Sequence, residues 1–437
     1  MDDEDTILSD GGIAVRDGTI AAIGPSATIR EEWRSKERID AAGSVAAPGL
    51  VDTHMHVGQT MMRGALQTLA RTKQLRVPFW REYYVPFEAM LSPEDMYLSG
   101  QLAFSSMLLS GTTTFFEAGG VHPDHMAQAA VDTGIRGQVS RNTMDVGSRI
   151  PESMRTSTDV AVKENIELVE RWPRGSRVSA AMSLRQIITS TPELVVQIVG
   201  AAAEREVKVH THLVEGTYEI DWCLEQHGKR PVDYLVDLGV FTPTLHAAHS
   251  VLADAEDVAR YARHQVSACH CAFGNYSIGH APALHMWRAG VPIGLGTDGV
   301  NSHGTLDLFR VALATRIGQQ AVYGTPVHNR MAVGAQEPLR MATRGGARAM
   351  GLDREIGSLE VGKRADIILL GTDGPDAAGY ASDDAFFFQG ASGRDVHTVV
   401  VDGAVVVKDR EILTVDVAEV RAKAKERQRV LVQRLEA

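Results

Sequence analysis

The chain of 437 residues is 44% hydrophobic and 23% charged, enough to bury a large core, and reads as one big domain plus a smaller one. A net charge of -11 argues against nucleic acid or an anionic membrane as a general partner, which leaves a small molecule as the default ligand. Three cysteines (Cys223, Cys269, Cys271) are too few for a secreted disulfide framework, and no apolar run approaches the ~20 residues of a bilayer span, so a soluble cytoplasmic protein is expected.

Residues 11–25, GGIAVRDGTIAAIGP, alternate apolar and polar positions around Asp17-Gly18, which predicts a hairpin. From 46 to 353, strand patterns alternate with helical ones. The strands are AAPGLVDTHMH, TTTFFEAG, IRGQVSR, RVSAAMSL, VKVHTHL, TLHAAHS, QVSACHCAF and PIGLGTD; the helices include PEDMYLSGQLAFSSMLL, PELVVQIVGAAAER and DAEDVARYARH. This repetition predicts an α/β fold, a (β/α)8 barrel, whose reactive groups gather at the C-terminal strand ends. A doubly wound sheet is the rival, but no G-x-G-x-x-G follows the first strand. The tail returns to short strands, GSLEVGKRADIILL (357–370) and DVHTVVVDGAVVVKDREILTVD (395–416), then an amphipathic helix over 416–435. Segments 1–45 and 354–437 are therefore expected to build one small composite β-domain.

DTHMH (52–56) puts His54 and His56 two residues apart, on one face of a strand, where a metal competes with packed or exposed histidines. VHTHLVE adds His210, His212 and Glu215; LHAAHS adds His246 and His249; CHCAF adds His270; GLGTDG adds Asp298. A lone histidine in any of these segments is more often a packed core residue. Recurrence at the ends of successive predicted strands points to a shared metal centre. Cys269-His270-Cys271 has no second pair at zinc-finger spacing.

With PGLVDTHMH, QTMMRG, SGTTTF, HTHLVE, AAHSV, HCAFGN, AGVPIGLGTDG and GSLEVGKRADIILL in that order, the sequence resembles the metal-dependent amidohydrolase superfamily. Within it, the branch is that of cytosine-deaminase-like, triazine-hydrolase and S-adenosylhomocysteine-deaminase-like enzymes. The resemblance implies that His54, His56, His212 and Asp298 ligate one divalent metal per subunit, zinc with iron as alternative. It implies Glu215 as proton shuttle, His249 as the polarising group, and Asp298 as the group that orients the attacking water and takes its proton. No lysine ends the fourth candidate strand, so the bridging carboxylated lysine of binuclear relatives is absent and a single metal is expected. His210 and His270 are expected to support the metal pocket from behind its ligands, and His246, three residues before His249, to occupy the opposite strand face.

Relatives that deaminate adenosine-type thioethers carry a carboxylate in a P-x-E segment, matched by Glu88, and an arginine after the third strand, matched by Arg141. Their histidine after the fourth strand is replaced by Leu184 or Arg185, of which Leu184 enters the expected contact set. After the eighth strand the usual A-S-N-N becomes 300–303, making His303 a candidate contact. Glu88 has a plainer reading as an exposed glutamate opening a helix. Gln59, Arg63 and Trp80 lie on the aperiodic stretch 57–86, a lid over a flat heterocycle or a dimer interface. The expected reaction is hydrolytic deamination of an amino-substituted nitrogen heterocycle, releasing ammonia. Displacement of chloride or an alkylamine from a triazine-like ring is the alternative, and a catalytically silent metal-binding scaffold is the alternative of another class. Relatives are often homo-oligomers, and the same is expected here.

Overall fold

The computed structural model describes residues 6–436, without the side chains of 302, 303 and 436. Nine parallel strands form its central sheet: β1 Leu50–Met55, β2 Thr112–Glu117, β3 Arg136–Val139, β4 Val178–Ala180, β5 Met182–Gln186, β6 Val209–Leu213, β7 Leu245–His249, β8 Ser267–His270 and β9 Ile293–Leu295. Their order, β4-β3-β2-β1-β9-β8-β7-β6-β5, leaves β4 and β5 at the two edges. These are halves of one strand interrupted at Ala181. The Ala181 N–H donates to Val139 at 2.9 Å and the Met182 N–H to Lys208 at 3.0 Å, so this strand joins both edges. Counting it once gives the (β/α)8 barrel that the repetition predicts.

β1 and β2 are buried at every position, as strands covered on both faces must be. The helix Pro93–Leu108 is set by a reciprocal cap between Ser92 and Asp95, with proline in its first turn. Asp254 and Asp257 do the same for Ala255–His264. These caps fix where each strand-to-helix loop ends, and those loops carry the chemistry.

A second, antiparallel sheet runs Glu411–Ile412, Ala404–Lys408, Val396–Val401, Ile367–Gly371 and Ser44–Pro48. It draws on both ends of the chain, because Ser44–Pro48 pairs with Ile367–Gly371. The expected boundary at residue 45 thus falls inside a strand of this sheet, and the barrel begins at Leu50. The N-terminal hairpin, Gly11–Arg16 with Thr19–Pro25, is a separate two-stranded sheet touching the tail through Thr19 and Arg364. Its turn has Asp17 at φ 52° and Gly18 at φ 74°, and the Asp402-Gly403 turn has φ 52° and 78°. Left-handed backbone at both central positions is why aspartate-glycine occupies them. Arg136 on β3 reaches Asp366 at 2.8 Å and Asp402 at 3.1 Å, tying the barrel to the smaller sheet. The terminal helix Val417–Glu436 docks through Arg427 on Asp95 at 2.8 Å. Among the described residues, no helix is long and apolar enough to cross a membrane.

Candidate metal centre and active site

His54 and His56 leave the end of β1, and His212 leaves the end of β6. Their ring nitrogens lie within 4.8 Å of one another. His56 Nε2 and His212 Nε2 are 3.1 Å apart. His54 Nδ1 pairs with His210 Nε2 at 2.8 Å, which leaves His54 Nε2 buried without a hydrogen-bond partner. Asp298 Oδ1 lies 3.4 Å from His54 Nε2 and 3.8 Å from His56 Nε2. Three imidazole nitrogens and a carboxylate oxygen around one space, one of the nitrogens orphaned, form the donor set of a borderline divalent cation. Burial pushes His54 down to about 4, and His56 and His212 well below the usual histidine range. The neutral rings keep the lone pairs a cation needs. Burial works against ionising Asp298, but the adjacent His54 ring and the other imidazoles around it outweigh it and hold the carboxyl well below its ordinary value.

Each donor is fixed from behind. His212 Nδ1 donates to the Arg185 carbonyl at 2.8 Å. Asp298 has left-handed backbone (φ 58°), and its N–H bonds to the His54 carbonyl at 2.9 Å. Asp52 takes the Thr297 hydroxyl at 2.6 Å and the His54 N–H at 3.2 Å, linking β1 to the turn that carries Asp298. Burial raises this carboxyl to about 7. Asp52 stands in the DTHMH segment, yet nothing in the sequence marks it as a brace for a residue 246 positions away.

The three-residue spacing predicts opposite faces for His246 and His249, and the structure corrects this. Both rings lie inside the barrel. His246 stacks on Phe116 at 5.1 Å and donates to the Thr53 carbonyl at 2.9 Å. His249 sits 4.9 Å from the His54 ring, and it also gathers with His54 and Asp298 within 4.8 Å. The cause is a left-handed residue at the strand end, His249 at φ 74°, which breaks the two-residue alternation. Asn275 holds the ring: its Oδ1 lies 3.0 Å from His249 Nδ1, and its Nδ2 lies 3.0 Å from both the His249 carbonyl and His270 Nδ1. His270 therefore reaches the centre only through Asn275, a residue visible in HCAFGN but not singled out by it.

Glu215 is half-buried after β6. Its Oε2 accepts from Gln186 Nε2 at 2.8 Å and from the Tyr218 hydroxyl at 2.9 Å. Gln186 stands opposite His212 in the strand register, so this clamp adjoins the metal-ligand ring. The Glu215 N–H bonds to Glu219 at 3.0 Å. Tyr218 is kept protonated, pushed well above its ordinary value by burial and by the Glu215 charge. Neither Gln186 nor Tyr218 stands out in the sequence.

The remaining candidates divide. Glu88 is 3% exposed, which overturns its reading as a surface glutamate; its Oε2 takes Arg185 at 2.8 Å and its Oε1 takes Gln59 at 2.7 Å. Glu88 and Gln59 thus stand together against His56, whose Nδ1 is 4.0 Å from Glu88. Leu184 is packed in the main hydrophobic core, and the adjacent Arg185 is the side chain that turns to the site, where the strand register slips after Leu184. Arg141 pairs with Glu164 on the helix Thr158–Arg171. Trp80 packs at 6.1 Å on the Tyr218 ring, its indole N–H buried without a partner. Arg63 is exposed, its carbonyl taken by Gln428. His303 ends the short helix Val300–His303, and its side chain lies outside the described residues.

A 5-methylthioadenosine/S-adenosylhomocysteine deaminase of Desulforudis audaxviator is 34% identical, with 97% of this chain and 95% of that protein covered. The crystal structure of an adenosine deaminase from Xanthomonas campestris with bound zinc superposes with a TM-score of 0.90 at 27% identity, covering 98% of this chain and 95% of that one. An atrazine chlorohydrolase of Arthrobacter aurescens, at 24% identity and a TM-score of 0.84 over 99% and 97% of the two chains, shares the fold. Residues 11–34 match an imidazolonepropionase-like composite domain of bacteria, the region of the N-terminal hairpin. Residues 45–406 match the amidohydrolase family, and the chain belongs to it.

Proposed function

We propose that this amidohydrolase is a metal-dependent hydrolytic deaminase of an amino-substituted nitrogen heterocycle. The observation that carries the reading is the meeting of His54, His56, His212 and Asp298 around one space, with His54 Nε2 left orphaned there. These four residues would hold one divalent ion, and zinc suits three neutral imidazoles and a carboxylate. When bound, the ion supplies Lewis acidity and lets water act as a nucleophile near neutral pH. The deaminase names of the full-length relatives support the reaction class.

The chain's own groups move the protons. Asp298, ionised, takes a proton as water adds to the amino-bearing carbon. Glu215 keeps Oε2 in the Gln186–Tyr218 clamp and works through Oε1, carrying one of the water's two protons to the ring nitrogen, while the proton held by Asp298 goes to the departing amine as the C–N bond breaks. His249, with Nδ1–H on Asn275, is held beside the metal ligands to act as the polarising group. The products are the oxo-heterocycle and ammonia.

An ammonia-release screen over amino-purines, pterins, pyrimidines and triazines tests this directly. Turnover is expected in at least one class. Chloride or alkylamine release without ammonia would replace deamination by displacement, and silence in every class with metal bound would leave a scaffold.

A further inference from the structure

Glu215 and His249 stand at the ends of neighbouring strands, β6 and β7, and both strands end in left-handed backbone. Val214, between β6 and Glu215, has φ 53°, and His249 and Ser250 have φ 74° and 47°. A β-branched residue is a genuine outlier in this region, so Val214 keeps its conformation only where its surroundings over-determine it. Three hydrogen bonds do so. Glu219, in the first turn of the helix Thr217–His227, reaches back and accepts the Glu215 N–H on Oε2 at 3.0 Å. The Leu213 carbonyl takes the Ser250 N–H at 3.1 Å, and the Val214 carbonyl takes the Leu252 N–H at 3.1 Å. The turn that carries Glu215 and the turn that follows His249 are thus one hydrogen-bonded unit.

Glu219 is the costly member of that unit. It is fully buried, and its Oε1 has no hydrogen-bond partner. A methionine at this position would pack without stranding a polar atom; what it would lack is the acceptor for the Glu215 N–H. Burial also raises the Glu219 carboxyl to about 8, so near neutral pH it is mostly protonated and places little second charge beside Glu215. The division of labour with the other partners of Glu215 is clear. Gln186 and Tyr218 hold the carboxylate itself, whereas Glu219 holds the backbone from which that side chain starts.

We propose that Glu219 is a positioning residue for the hydrolysis: its side chain holds Val214 in left-handed backbone and so aims Glu215, together with the His249 turn bonded to the same segment. The proposal rests on the deaminase reading above, in which Glu215 moves a proton, and goes beyond it in giving a task to a residue that itself transfers none.

Two substitutions separate reach from acidity. Glu219→Gln keeps an oxygen at the same distance and has no acid proton, whereas Glu219→Asp keeps the acid and withdraws it by one methylene. With the substrate found by the ammonia screen, Glu219→Asp is expected to lower kcat by roughly 10–100-fold, the effect of a misplaced catalytic group, with KM and metal content unchanged. Glu219→Gln should stay within about threefold of the parent, since the acceptor that matters is retained. A purely structural role would instead lower metal content and active fraction together. Hydrogen exchange of the Glu215 amide in metal-depleted protein gives a readout apart from turnover, faster in Glu219→Asp and unchanged in Glu219→Gln. A kcat that survives Glu219→Asp, or falls as far in Glu219→Gln, overturns the proposal and leaves deamination standing, and so does a Glu219→Asp chain that does not fold while Glu219→Gln loses activity. No ammonia from the parent enzyme, with exchange still following the reach of residue 219, removes the deaminase reading and keeps Glu219 as the brace of this turn. No ammonia and no change in exchange overturns both.

Discussion

His210 Nε2 lies 2.8 Å from His54 Nδ1 across the barrel interior, and the two rings stack at 4.9 Å with 19° between planes. With a cation on His54 Nε2, the ring would carry its hydrogen on Nδ1 and donate it to His210 Nε2. His210 thus does its work through His54. His210→Ala should lower metal affinity by roughly 10–100-fold. Competition against a chelator, followed by metal analysis, measures it, and an unchanged affinity would show that the pairing orients nothing.

Removing the acid–base group should separate binding from chemistry. In Glu215→Gln the metal content stays the same and kcat falls by about 10²–10⁴-fold. Tyr218→Phe deletes one of two donors to Glu215 Oε2, so a drop of about 5–10-fold in kcat is expected with KM nearly constant. If KM moves and kcat does not, Tyr218 contacts substrate instead.

Glu219 predicts a pH effect on stability. Burial raises its carboxyl to about 8 from an ordinary value of 4.5. Between those values the folded chain holds a proton that the unfolded chain has released, so this group makes stability fall as pH rises through that window. Glu219→Gln retains a carbonyl oxygen for the Glu215 N–H and has no proton to lose. Melting curves of the metal-depleted protein from pH 5 to pH 8 should decline less steeply in the variant, and parallel slopes would reject the assignment.

Arg136 joins the barrel to the smaller sheet through a pair in which both side chains are at most 5% exposed. Arg136→Met strands Asp366 as a buried charge, a loss of about 3–5 kcal/mol. Among the described residues, Asp366 then keeps only the Asp402 N–H at 2.8 Å in compensation. Thermal unfolding at one fixed scan rate should show a clearly lower midpoint, whereas Arg427→Ala on the more exposed Asp95 pair should cost about 1 kcal/mol or less.

The sequence by itself determined the barrel, the two β-rich ends and the imidazole set. Apolar strand runs, capped helices and aspartate-glycine turns are local signals, and two histidines at i and i+2 share a face wherever a strand forms. Only the tertiary structure decided how His249 faces the centre, because one left-handed residue overrides strand alternation. It alone turned Arg185 inward in place of Leu184, since a register slip is invisible to periodicity. It alone sent Arg141 to Glu164 and buried Glu88 between Gln59 and Arg185. The braces Asp52–Thr297, His210–His54 and Asn275–His249 join segments far apart in the chain, and such contacts exist only once the barrel has closed.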